Sequence, residues 1–179
     1  MIQMDKISSS AENTIPQRAV VIGVMGGGRV TPAQEDQAYR LGALIAINGW
    51  VLLNGGRDAG IMAASARGAW EHGGLTIGIL PDDNLGGCSP YIRIPILTGM
   101  GQARNVINVL SSHVVVACPG GAGTLGEIAL ALKAGRPVVL MGDARRLAGG
   151  ALKRLGRLRY AESAEATIAA VREWLATGP

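Results

Sequence analysis

The chain has 179 residues, long enough for one hydrophobic core. It carries a net charge of +4, too mild to mark a nucleic-acid binder. Only 3% of its residues are aromatic and none is Phe, so it lacks the stacking platforms that hold single-stranded nucleic acid; a small anionic partner is expected instead. The charged share, 17%, lies below the usual ~25% and points to surface hidden in a homo-oligomer, a dimer or tetramer.

Residues 1–18 are polar with scattered charge. They lack the apolar stretch of a signal peptide and read as a flexible tail ahead of a single domain over 19–179. The run from Ala19 to Val24 reads as a buried strand that ends in Gly26-Gly27-Gly28. A helix then starts with a capping box, with Thr31 as N-cap, Pro32 at the first helical position and Gln34 reaching back, and it stops at Asn48-Gly49. Strand 50–53 runs into Asn54-Gly55-Gly56, helix 61–71 into Gly73-Gly74, and strand 75–80 into Pro81. A strand over 91–97 contains Pro95 and so belongs near a sheet edge. Helix 102–110 precedes the β-branched run Val114 to Cys118, a strand buried on both faces. Helix 125–134, strand 137–141 and an amphipathic helix over 163–176 complete the chain. The basic stretch of Arg145, Arg146, Lys153, Arg154, Arg157 and Arg159 reads as a solvated face.

Strands alternating with helices give a Rossmann-like three-layer α/β/α fold with a mostly parallel sheet. The glycine clusters at 26–28, 55–56 and 120–123 each follow a strand, so they share the carboxyl rim where such folds bind ligands. Pro119-Gly120-Gly121-Ala122-Gly123-Thr124 joins the most buried strand to a helix start. Its backbone N–H groups, the helix dipole and the Thr124 hydroxyl suit a phosphate. Glu127 has two readings: it stands at capping-box spacing from Thr124, or it serves chemistry beside the anion. Arg104 has two as well, a surface residue or a partner for phosphate or Glu127. GxGxxG is absent and the second strand ends at Asn54 rather than at an acid, which argues against a conventional NAD site. Cys88, Cys118, His72 and His113 stand singly, so no metal site is expected, and two free thiols fit a cytoplasmic protein. No apolar run is long enough to span a membrane.

The segment from Pro119 to Glu127 matches PGGxGTxxE and resembles the LOG-like proteins, the cytokinin-activating phosphoribohydrolases and relatives often mislabelled lysine decarboxylases. Gly55 to Met62 resembles that superfamily's second glycine-rich segment, with Asp58 in place of Gly. Thr98 to Asn105 is most similar to the molybdenum-cofactor carrier branch. The likeness covers roughly Ala19 to Met141. In the hydrolase branch it implies catalysis by Arg104 and Glu127, although Asn105 stands where that branch has Lys. In the carrier branch it implies binding of a molybdopterin-type cofactor without chemistry. Both branches imply a homo-oligomer. The function expected is carrier-like binding of a phosphorylated nucleotide or molybdopterin-type ligand, with no cofactor required for folding. The residues expected to bind are Gly26, Gly27, Gly28, Gly55, Gly56, Thr98, Arg104, Asn105, Gly120, Gly121, Ala122, Gly123 and Thr124. The alternative is cleavage of the N-glycosidic bond of nucleoside 5′-monophosphates.

Overall fold

Runs of Val, Ile and Leu unbroken by polar residues need apolar neighbours on both faces, which a parallel sheet between two helix layers supplies. The computed structural model describes residues 18–149, 152, 154 and 156–177, and in it those runs pair as one sheet. The strands are β1 (Val21–Met25), β2 (Val51–Asn54), β3 (Thr76–Leu80), β4 (Ile94–Leu97), β5 (Val114–Ala117), β6 (Val138–Met141) and β7 (Leu158–Ala161). Their order is β4-β3-β2-β1-β5-β6-β7, and every pairing is parallel. The helices are α1 (Pro32–Ile47), α2 (Gly60–Glu71), α3 (Asn105–Leu110), α4 (Ala122–Lys133) and α5 (Ala164–Ala176).

Alternation along each strand divides the core between the two faces. Ile22, Val24, Leu52, Val114 and Val116 pack with α1, α2 and α5, while Met25, Leu53, Val115 and Ala117 pack with α3 and α4. α1 starts as expected: the Thr31 hydroxyl accepts from the Gln34 N–H at 3.3 Å, and the Gln34 side chain accepts from the Thr31 N–H at 3.0 Å. α1 and α2 approach backbone to backbone at two glycines. A Cβ on Gly42 would stand 2.0 Å from the Ser65 carbonyl oxygen, and one on Gly68 would stand 1.9 Å from that of Tyr39.

Several expectations need correction. The strand expected over 91–97 is confined to Ile94–Leu97, because the Thr76 hydroxyl donates to the Tyr91 carbonyl at 2.6 Å and accepts from the Arg93 N–H at 2.9 Å, holding 91–93 in a turn. It does lie at the sheet edge, with Pro95 opposite Gly78. The helix expected over 102–110 is a 3₁₀ turn, Gly101–Arg104, followed by α3. α4 starts at Ala122, so the second half of the expected loop is its first turn.

The basic stretch hides a 3₁₀ segment, Gly142–Leu147, and the seventh strand. It is only partly a solvated face: Arg145 and Arg146 are exposed, whereas Arg157 and Arg159 are half-buried and stack on the Trp174 ring, 4.5 and 4.4 Å from its centre. Arg145, Arg146 and Arg159 pair with Glu162, Asp143 and Glu173. The expected tail, apart from Arg18, and the Lys153 side chain lie outside the described residues. Among the described residues no helix is long and apolar enough to cross a membrane.

Candidate functional site

From β1 the chain moves outward in one direction to β2, while β5 lies on the other side of β1, so the loops leaving β1 and β5 part company at the carboxyl rim. Such a switch point opens a crevice. The two loops are laced at its base: the Cys118 N–H donates to the Met25 carbonyl at 2.7 Å, and the Gly27 N–H to the Pro119 carbonyl at 2.9 Å. Beside this seam lies an open cleft of about 210 Å³.

One wall is the start of α4. Gly121 is its N-cap, with no side-chain cap, and the first helical backbone bond runs from the Leu125 N–H to the Gly121 carbonyl. The amides of Ala122, Gly123 and Thr124 precede that bond and have no intrahelical acceptor, which leaves them, with the helix dipole, suited to an anion. The Thr124–Glu127 capping box does not form. Thr124 is buried against the loop, so close that a Cβ on Gly120 would come within 2.2 Å of its Oγ1.

The opposite wall carries Arg104, its side chain only 9% exposed. Gly55 makes room for it, since a Cβ there would meet Arg104 Nη2 at 2.6 Å. The Gly55 loop is itself held by Asn54. That side chain accepts from the Gly56 N–H at 2.8 Å and donates to the Met62 carbonyl at 3.0 Å, fixing the turn onto α2. Arg104 Nη1 donates to Asn105 Oδ1 at 2.7 Å and lies 3.7 Å from Glu127 Oε1. Glu127, its side chain 8% exposed, accepts from Asn108 Nδ2 at 3.0 Å. Burial pushes the Glu127 carboxyl above the usual carboxylate range, opposed by the Asn108 hydrogen bond and by Arg104. Burial likewise lowers Arg104, opposed by Glu127. Arg104 Nε and Asn108 Oδ1 are both buried with no hydrogen-bond partner among the described residues.

Of the residues singled out from the sequence, the structure brings Gly26, Gly27, Gly55, Arg104, Asn105, Gly121, Gly123, Thr124 and Glu127 together around this cleft. Gly28 and Gly120 line an adjoining hollow across the Gly27 seam. Gly56, Thr98 and Ala122 do not line the cleft; the Thr98 hydroxyl donates to the Leu80 carbonyl at 2.7 Å. Sequence reasoning missed Arg57, Met62, Pro81 and Gln102 on the cleft wall and Asn108 behind Glu127. Arg57 directly follows the Gly55-Gly56 pair and was legible from that position. Asn108, one turn beyond Arg104, had no signal without knowledge of what α3 faces. Arg57 is paired with Asp82 at 2.8 Å. Among the described residues no group of three or more His, Cys, Asp or Glu is placed to hold a metal ion.

The model of the SLOG cluster4 family matches residues 19–168. This chain belongs to the SLOG cluster4 family. Two solved structures resemble this SLOG cluster4 chain over 89% of its length and 99% of theirs. The molybdenum cofactor binding protein of the phototrophic bacterium Rippkaea orientalis is 46% identical, with a TM-score of 0.83. The molybdenum cofactor carrier protein of Chlamydomonas reinhardtii is 44% identical, with a TM-score of 0.81. The cytokinin riboside 5′-monophosphate phosphoribohydrolase of Mycobacterium marinum is 27% identical over 122 residues, which is 66% of this chain and 65% of that enzyme. The α/β fold read from the sequence is the one these neighbours share.

Proposed function

We propose that this protein is a carrier that binds a molybdopterin-type cofactor as cargo in the switch-point cleft. The observation that carries the reading is the junction of unbonded α4 amides with a buried Arg104–Glu127 pair, in a chain that is 46% identical to a molybdenum cofactor binding protein along nearly its whole length. The residues fit such a ligand. Its phosphate would be held by the amides of Gly123 and Thr124 with Arg104 alongside, and Glu127 would accept from a donor on the organic part. Arg104 Nε is a buried donor with no acceptor among the described residues, so the guanidinium is not fully used within the protein. Two free cysteines are consistent with a cytoplasmic setting, and the low charged share of the chain supports a homo-oligomer.

The test is retention of pterin. Protein incubated with molybdenum cofactor and desalted should keep close to one pterin per chain, measured by fluorescence after oxidation, and Arg104→Ala should keep little. Absence of retained pterin in the unaltered protein rejects the reading.

A second reading has its own observation. A buried carboxylate 3.7 Å from a guanidinium is also what N-glycosidic cleavage of a nucleoside 5′-monophosphate needs, with Glu127 stabilising positive charge on the ribose and Arg104 placing the substrate. Release of free base that Glu127→Ala abolishes would install this reading in place of the first.

A further inference from the structure

Two asparagines one helical turn apart, Asn105 and Asn108 on α3, each hold one end of the cleft's ion pair. Asn105 Oδ1 accepts from Arg104 Nη1 at 2.7 Å, and Asn108 Nδ2 donates to Glu127 Oε1 at 3.0 Å. Between these ends the Arg104 Nη1 to Glu127 Oε1 distance remains 3.7 Å, beyond hydrogen-bond length. A buried guanidinium and carboxylate with nothing to restrain them close into a charge-assisted bond, because their attraction grows as water is excluded. Here each is bonded to a neutral amide instead.

We propose that Asn105 and Asn108 are positioning residues that hold Arg104 and Glu127 apart, so that the cleft takes a ligand presenting an anionic group to Arg104 and an N–H or O–H donor to Glu127. The inference rests on the cleft being a ligand site. Unused bonding capacity on both sides supports it. Arg104 Nε is buried and unbonded, and Glu127 Oε2 has no hydrogen-bond partner among the described residues. A closed pair would neutralise Arg104 and Glu127 against each other and leave a ligand less charge to meet. The Asn108 amide is fixed by the carboxylate it faces: turned over, it would set Oδ1 against Glu127 Oε1 and lose its bond. A bare anion such as inorganic pyrophosphate offers Glu127 no donor and meets its charge; a pterin monophosphate offers both groups.

Few other charges face Glu127. Arg104 comes from the 3₁₀ turn and Arg57, from the loop after β2, lines the same cleft; Asp82, on the loop after β3, lies off the cleft wall and pairs with Arg57. β1, β5 and α3 carry no charged side chain, and α4 carries, besides Glu127 itself, only Lys133 at its far end.

The experiment is titration of the Glu127 carboxyl in the ligand-free protein by carbon-13 NMR, with Glu127→Gln identifying the signal. Asn105→Ala frees Arg104 to close on the carboxylate and moves its titration to lower pH. Asn108→Leu removes the donor and moves it to higher pH. Opposite directions are the expected result; general loosening of the fold moves both the same way. Asn105→Ala should also bind pterin monophosphate about tenfold more weakly at neutral pH, as loss of one hydrogen bond to a charged group implies. An unmoved titration in Asn105→Ala, or movement of both variants in one direction, overturns the proposal. Should Asn108→Leu not fold, Asn105→Ala decides alone, since Asn105 is only half-buried. The titration needs no ligand, so its failure and a failure to retain pterin are separate results.

Discussion

A carboxylate buried in a cleft wall costs a protein stability. The Glu127 carboxyl titrates above its ordinary range because of burial, so the stability linked to it is present at low pH and is lost as pH rises through the folded-state value. Above the ordinary carboxylate range the buried carboxyl opposes folding. Glu127→Gln should therefore melt at the same temperature as the unaltered protein or higher, while losing pterin binding; a clearly lower melting temperature at neutral pH contradicts this. Cys118 makes a second residue-scale prediction. It follows β5, is fully buried, and burial pushes its thiol from 9.0 up to about 12. The folded thiol stays protonated where the unfolded one ionises, so stability is intact below about pH 9 and falls between 9 and 12. The slope approaches about 1.4 kcal/mol per pH unit. Denaturant unfolding across that window should show a steeper loss for the unaltered protein than for Cys118→Val, and equal slopes refute it. At this scale the sequence was legible where chemistry is carried by residue type in a turn, as with Gly121, Thr124 and Glu127. It was silent on Asn108, whose importance depends on what lies across α3.

Elements were legible wherever local signals agree with packing. The Thr31–Gln34 box and Pro32 mark the start of α1 because capping is settled within four residues. The uninterrupted valines of β5 mark a central strand because nothing polar could be accommodated on either face. β7 was hidden because Leu158-Arg159-Tyr160-Ala161 is an edge strand whose arginine is held by Trp174 and Glu173, partners far along the chain. The start of α4 was misplaced for a related reason. Ala122-Gly123-Thr124 has weak helix propensity, and the turn is held by Gly121 and by the packing of Thr124 rather than by a side-chain cap. The glycines between α1 and α2 also acquire meaning only from their neighbours. Gly68→Ala places a methyl inside the Tyr39 carbonyl and should cost about 1–3 kcal/mol, as overpacking does, although alanine is the better helix former. Chemical denaturation measures it, and unchanged stability would show that the helices are free to move apart.

Across the molecule the two sheet edges differ. β7 is flanked by α5, whereas β4 exposes Ile94, Ile96 and Leu97, with Met100 just beyond. An open apolar edge is normally covered or blunted by charge. Together with the low charge of the chain, this predicts a solution mass of at least two 18.4 kDa chains. Light scattering over a wide dilution series checks it, and a single-chain mass throughout refutes it.

The glycine contact between α1 and α2 has a consequence for how the cleft can move. α1 follows the β1 loop and α2 follows the β2 loop, and the two helices meet main chain against main chain at Gly42 and Gly68, with Tyr39 of α1 also bonded to Glu71 and lying under Arg67 of α2. One cannot slide without dragging the other, so the Gly26 and Gly55 margins form a fixed jaw. Any tightening around a bound ligand would fall to the other jaw, the 3₁₀ turn with α3 and the head of α4. Amide hydrogens there should exchange faster in the empty protein and slow on loading, while those along α1 and α2 keep one rate in both states.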